Sequence, residues 1–195
     1  MRISQLCAAI RCISPRLINA FLFISILTIS ASAAFAATLV VPAGGNLQAA
    51  INGAAPGDTI VLDAGATYTG PFTLPAKSGD LYVTIQSSRV SEITGRVSPS
   101  QSGLLAKLRA NFGAEPIIKT ATGAHHYKLI GLEISTFTAT DFIYDLVRLG
   151  SDSQTDLASV PHHLILDRLW VHGFQAQDLQ RGISLNSSET SIINS

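Results

Sequence analysis

Beyond Cys12 the sequence contains no cysteine. Disulfides are therefore excluded from everything downstream, and a hydrophobic core has to carry stability there. No cysteine follows the first apolar run either, which removes a site for a lipid-anchored N-terminus. A cationic excess is also missing, since 13 Lys and Arg face 13 Asp and Glu. A nucleic-acid surface would be basic, so that class of partner is excluded. There is no Gly-x-Ser-x-Gly nucleophile motif. Strands and helices do not alternate, which argues against a doubly wound sheet.

What is present begins with a leader. Arg2, Arg11 and Arg16 precede an apolar run from Leu17 to Ile29, and small residues follow from Ser30 to Ala37. Ala34-Phe35-Ala36 fits the small-x-small cleavage rule, so residues 1–36 read as a secretory signal peptide cut before Ala37. The expected destination is outside the cell, in the periplasm or at the cell surface, with no membrane span after cleavage. Loss of the three arginines lowers the cation count from 13 to 10 and leaves a net charge of about −3. Residues 37–195 suit one domain with a sizeable core.

The fold signals start at Asn46, a good helix N-cap. Leu47, Ala50 and Ile51 fall on one stripe, and Gly53 with Pro56-Gly57 ends it, so the expected helix covers about 46–52. Alone it would be marginal, so it needs something apolar to cover. Short strand patterns follow at Thr59–Leu62, Tyr68–Gly70, Phe72–Leu74 and Leu81–Ile85, separated by Gly, Asp and Pro turns. Residues 86–115 are rich in Ser, with Pro99 and Gly103, and read as an insertion with a helical turn near Leu104–Leu108.

An internal repeat appears in the second half. Tyr127–Ile134 lies over Leu164–Val171 at an offset of 37 residues. Both segments alternate, shift phase by one residue, and alternate again. In a flat strand this would flip the buried face, whereas a corner keeps the same side inward. Gly131 and Arg168 occupy the two corners. Val147 and Leu149 match Ile183 and Leu185 at nearly the same period, which indicates stacked coils. Ser151–Pro161 reads as a variable loop on one side.

These segments resemble the right-handed parallel β-helix proteins of the pectate-lyase-like superfamily. The carriers are Asn46–Ile51, Pro56–Leu62, Gly65 with Tyr68 and Gly70, and the later Leu-Ile-Gly-Leu-Glu-Ile and Gly-Ile-Ser-Leu-Asn stretches. The resemblance implies an all-β, single-stranded right-handed parallel β-helix with a short N-terminal capping helix. A solenoid needs such a cap to cover its bare end. The chain stops at Thr190–Ser195 in what looks like mid-coil, so an N-terminal fragment of a longer protein is expected. The fold class hosts lyases, hydrolases, esterases and non-catalytic surface proteins. Its lyases use carboxylates that hold Ca²⁺ and a basic Arg or Lys beside a uronate carboxyl, so Ca²⁺ and a polysaccharide partner are what the resemblance implies. No cluster of aspartates at strand spacing matches that pattern here, which leaves the lyase site in doubt or beyond Ser195.

The richest polar constellation is His162-His163, Asp167-Arg168, His172, Asp178, Arg181 and Asn186. Arg168 or Arg181 would grip a sugar carboxylate, and His172 or Asp178 would act as acid or base. The competing reading makes Asp167-Arg168 a corner clamp and Asn186 part of a turn ladder. Trp170 aligns with outward-facing Glu133, where it would stack on a sugar or pack beneath the 151–161 loop. Asn186 joins Trp170 as a candidate substrate contact. A metal site of His163, Asp167 and His172 matches no compact ligand spacing. Tyr127 falls on the inward phase. Two functions stand at this point: a secreted carbohydrate-active protein, lyase-like or hydrolase-like, acting on an acidic polysaccharide, or a non-catalytic adhesive or glycan-binding β-helix. An inactive fragment is the third.

Overall fold

The computed structural model describes residues 35–110, 115–140 and 142–195. The expected leader lies outside these residues, apart from Phe35 and Ala36.

Among the described residues, strands are short and helices few. β1 (Thr38–Val41) precedes α1 (Leu47–Gly53) and β2 (Thr59–Leu62). Then come β3 (Thr67–Thr69), β4 (Phe72–Leu74), β5 (Val83–Ser87), β6 (Ala106–Ala110) and β7 (Ile118–Thr120). β8 (His125–Ile130), β9 (Leu132–Thr136), β10 (Ile143–Gly150) and β11 (His162–Asp167) follow. β12 (Trp170–Val171), β13 (Leu179–Asn186) and β14 (Thr190–Ile193) complete the series.

The pairing defines the architecture. The first sheet runs β1-β2-β5-β8-β11-β14, the second β3-β6-β9-β12, and the third β4-β7-β10-β13. Every pairing is parallel. From β2 onward each coil gives one strand to each sheet in turn, so the chain is a parallel β-helix with three faces. The repeat expected at offset 37 is the actual register, with Leu164 opposite Tyr127 and Trp170 opposite Glu133. Val147 likewise sits opposite Ile183.

The core is built from ladders. Ile60, Ile85, Leu129 and Leu166 share one inward rung position across four coils and are all buried. Phe72, Ile118 and Val147 do the same in the third sheet. Each such side chain contributes roughly 1.5–3 kcal/mol by leaving water. Corners between the first and second sheets demand a left-handed residue. Gly131 (φ 64°) and Arg168 (φ 52°) hold that conformation in successive coils, as the phase shift predicted. A Cβ at Gly131 would stand 2.8 Å from Ile93 Cδ1, so a side chain there would have to displace the end of Ile93.

The cap behaves as expected, with one addition. Asn46 Oδ1 accepts the N–H of Ala49 at 2.9 Å, and Leu47 and Ile51 are buried. Gln48 goes further. Its Oε1 accepts from Thr73 N (2.8 Å) and its Nε2 donates to Thr73 O (2.9 Å). The side-chain amide thus pairs with the outermost strand of the third sheet, where a neighbouring strand would otherwise stand. Asp58 then locks the following turn, its Oδ1 accepting from Ala37 N and its Oδ2 from Ala55 N, both at 2.8 Å.

The expected insertion at 86–115 needs correction. Ala106–Ala110 is a regular strand of the second sheet, not loop, and the helical turn lies earlier, as a 3₁₀ turn at Pro99–Leu104. The Ser-rich surroundings masked the strict Ala-Lys-Leu-Arg-Ala alternation. The true excursion runs between β5 and β6 and folds over the corner. Ile93 is buried there, and Arg168 Nη1 donates to the carbonyls of Val90 (3.1 Å) and Ile93 (3.3 Å). Among the described residues, no helix is long and apolar enough to cross a membrane.

Candidate functional site

The outer face of the second sheet carries the densest polar chemistry. Alternation along β6 points Lys107 and Arg109 outward, β9 presents Glu133, and β12 presents Trp170. Lys107, Glu133 and Trp170 share one rung. His172 follows directly after β12. Glu133 is almost wholly buried although it lies on the outward phase. Its Oε1 accepts from Arg109 Nη2 (2.7 Å) and its Oε2 from Ser102 Oγ (2.6 Å). Lys107 Nζ stands 3.6 Å away. Burial alone would raise the carboxyl pKa. The contacts of His172 and Ser102, with the charges of Lys107 and Arg109, outweigh it and hold the group at about 2. Glu133 is thus a permanent acceptor at neutral pH and no proton donor.

His172 stacks on Trp170, with ring centroids 4.1 Å apart and planes 24° apart. Its Nδ1 lies 3.1 Å from Gly173 O, and its Nε2 lies 3.5 Å from Glu133 Oε1. That second distance makes an ion pair when the ring is protonated, but it is too long and ill-directed for a hydrogen bond. His172 Nε2 and Ser135 Oγ are buried without a hydrogen-bond partner among the described residues. The geometry offers an aromatic platform bordered by two cations. It does not offer an exposed imidazole nitrogen as a base.

The six residues singled out from the sequence scatter. Trp170 and His172 come together, and Asp178 is exposed in the loop that follows them. Arg168 sits on the corner, 2.8 Å from Asp167 and tied to the excursion, which makes it the clamp that the competing reading described. Arg181 belongs to the third sheet, where its Nε donates to Asp145 Oδ1 at 2.6 Å. Asn186 ends β13 opposite Gly150, and its carbonyl accepts from Gln154 Nε2 (2.8 Å). The imagined set of His163, Asp167 and His172 is not assembled, because His163 and Asp167 lie near opposite ends of β11 and His172 lies past the corner. The 151–161 loop packs elsewhere too. Its Ser159 carbonyl accepts from Gly123 N, so it covers the third-to-first corner and not Trp170.

Sequence reasoning missed Glu133, Lys107, Arg109 and Ser102 as a group, because three of them fell within the supposed insertion. It also missed Asp145, which Arg148 and Arg181 grip at 2.8 and 2.6 Å. Ca²⁺ requires six to eight oxygen ligands. Of the buried carboxylates, Glu133 and Asp145 are already claimed by cations and Asp58 by two backbone N–H groups, and among the described residues no three carboxylates converge. The donor set does not fit Ca²⁺.

No protein-family model matches the sequence, and no curated protein matches it. Among solved structures, a chain titled as an alginate lyase from Paenibacillus sp. str. FPU-7 superposes with a TM-score of 0.47 at 22% identity. The match covers 68% of this chain and 36% of that one. The fold assignment rests on the strand pairing itself, not on that superposition.

Proposed function

We propose that this chain is part of a secreted carbohydrate-active β-helix that holds an extended acidic polysaccharide along the outer face of its second sheet. One observation carries the reading: the Trp170–His172 stack lies on the same outer face as Lys107 and Arg109, two strands away across Glu133. Trp170 supplies a ring face for a sugar, and the two cations, two strand spacings of about 4.8 Å along the same face, supply positive charge for the carboxylate of a neighbouring sugar unit. The rungs repeat along the solenoid axis, as the sugar units of a linear polymer do.

Trp170 is the single tryptophan, so its fluorescence reports on this face alone. Titration with a uronate polymer is expected to change that emission, and a neutral glucan of equal length is not. Trp170→Ala retains the fold by circular dichroism and, by isothermal titration calorimetry, loses at least tenfold in affinity relative to the wild type. Equal response to the neutral and acidic polymers would remove the proposal. The same mixtures, followed for the ultraviolet absorbance of an unsaturated uronate, separate the two functional classes. Product that disappears in Lys107→Ala identifies a lyase centre on this face. Binding without product identifies a glycan-binding flank, which is the outcome that the buried Nε2 of His172 favours.

A further inference from the structure

The corner leading from the third sheet into the first carries a second constellation, unrelated to the glycan face. His125-His126 opens β8 and His162-His163 opens β11, one coil later. His125 and His162 are direct register partners. The rings stack in two columns: His125 on His162 at 4.9 Å and 7°, and His126 on His163 at 4.5 Å and 14°.

Adjacent residues in a strand point to opposite faces. Here they do not, and the backbone gives the reason. His126 (φ 56°), His163 (φ 53°) and Glu189 (φ 49°) all take the left-handed conformation at this corner. Non-glycine residues visit that region rarely and at a cost. The turn swings neighbouring side chains onto one side, so Nδ1 of His125 lies 2.8 Å from Nδ1 of His126, and Nδ1 of His162 lies 2.7 Å from Nδ1 of His163. Glu189 Oε2, from the next coil, is also 2.7 Å from His163 Nδ1.

An imidazole nitrogen can give or accept one hydrogen bond in its plane. If the Nδ1 proton of His163 goes to Glu189, it is no longer shared with His162 Nδ1. Three imidazoles, from His126, His162 and His163, bring ligand atoms within 4.8 Å of one another. Metal–nitrogen bonds of about 2.0–2.1 Å place neighbouring ligand atoms about 3 Å apart, so the rings close up and turn out of their stack to share an ion. Burial, followed by the neighbouring histidines, lowers the pKa of His126 and of His162.

We propose that His126, His162 and His163 bind one late first-row divalent ion, Zn²⁺ or Ni²⁺ by donor type. Glu189 orients His163 through its Nδ1–H, as a carboxylate behind a metal-bound imidazole does. The ion joins two successive coils at their corner. It acts as a cross-coil staple in a chain that has no cysteine after Cys12.

The test uses the untagged chain, stripped with chelator, reloaded with Zn²⁺ and passed through gel filtration. Elemental analysis is expected to show one equivalent retained and the thermal midpoint to rise with free Zn²⁺. His126→Ala and His163→Ala each lose the equivalent, while His125→Ala, outside the triad, keeps it. No retained metal, or unchanged uptake in the His126/His163 double variant, overturns the site. X-ray absorption on the Zn²⁺-loaded wild type decides the matter if a variant misfolds. Two or three imidazoles in the scattering support the site, and fewer than two refute it.

Discussion

Glu133 and Asp145 look alike at first: both are buried carboxylates on a β-helix, each held by two cations. Their wiring differs. The partners of Glu133 come from other segments, with Lys107 and Arg109 on β6, Ser102 on the excursion and His172 beyond β12. Those of Asp145 are Arg148, three residues along its own strand, and Arg181 in the next coil. The cations around Glu133 are sheltered, with side chains 18% and 24% exposed, whereas Arg181 is 52% exposed. An exposed cation regains water when its partner is lost, and a sheltered one does not. Equal ion-pair counts therefore conceal unequal ties. Glu133 fastens three coils, and Asp145 fastens two.

The sharpest test removes each carboxylate charge. Glu133→Gln strands Lys107 and Arg109 and is expected to cost about 3–5 kcal/mol in denaturant unfolding. Asp145→Asn should cost about half as much by the same reasoning, because Arg181 rehydrates. Equal losses would break the comparison. Acid gives the next-largest effect. The folded pKa of Glu133, about 2, is depressed from 4.5, so its stabilisation is complete above pH 4.5 and disappears as pH falls towards 2. Linkage makes that roughly 3 kcal/mol. Thermal midpoints from pH 6 down to pH 2 should show this loss in the wild type and much less of it in Glu133→Gln. Asp145 shifts in the same direction, because Arg181 and Arg148 outweigh the effect of burial, and it adds a share of the same sign.

Removing single cations separates the two ties more gently. Arg109→Ala is expected to cost about 2 kcal/mol and Arg181→Ala less than about 1, read from paired urea melts. Salt gives the smallest effect. In molar NaCl the contribution of Arg181 should nearly vanish while that of Arg109 persists, since screening reaches exposed pairs first.

Much of the fold was legible because the inward positions are apolar and repeat. Tyr127, Leu129, Leu132 and Ile134 announce one coil, and Leu164, Leu166, Leu169 and Val171 repeat it. The corner at Gly131 was readable as a phase shift. β6 was not, because serines dominate the stretch before it and local composition hides a five-residue alternation. The candidate site was less legible for the same reason, since Lys107 and Arg109 lie on β6. The histidine corner had a signal that went unused. His125-His126 and His162-His163 obey the same 37-residue offset as the apolar repeat and needed only a two-residue extension of it. Asp145 left no such trace, since nothing in its neighbourhood distinguishes a gripped carboxylate from a solvated one.

The bond between Asp58 and Ala37 has a consequence for maturation. Asp58 Oδ1 accepts the N–H of Ala37, the residue immediately after the expected cut. In the uncut chain this is an ordinary amide donor. Cleavage before Ala37 turns the same nitrogen into an α-ammonium, positive at neutral pH. A cut there would oppose the carboxylate with a full charge at the first turn of the solenoid and would make processing itself a latch. Asp58→Asn should therefore lower the melting temperature of the cut chain more than that of the uncut one, and equal shifts would show that the latch is absent.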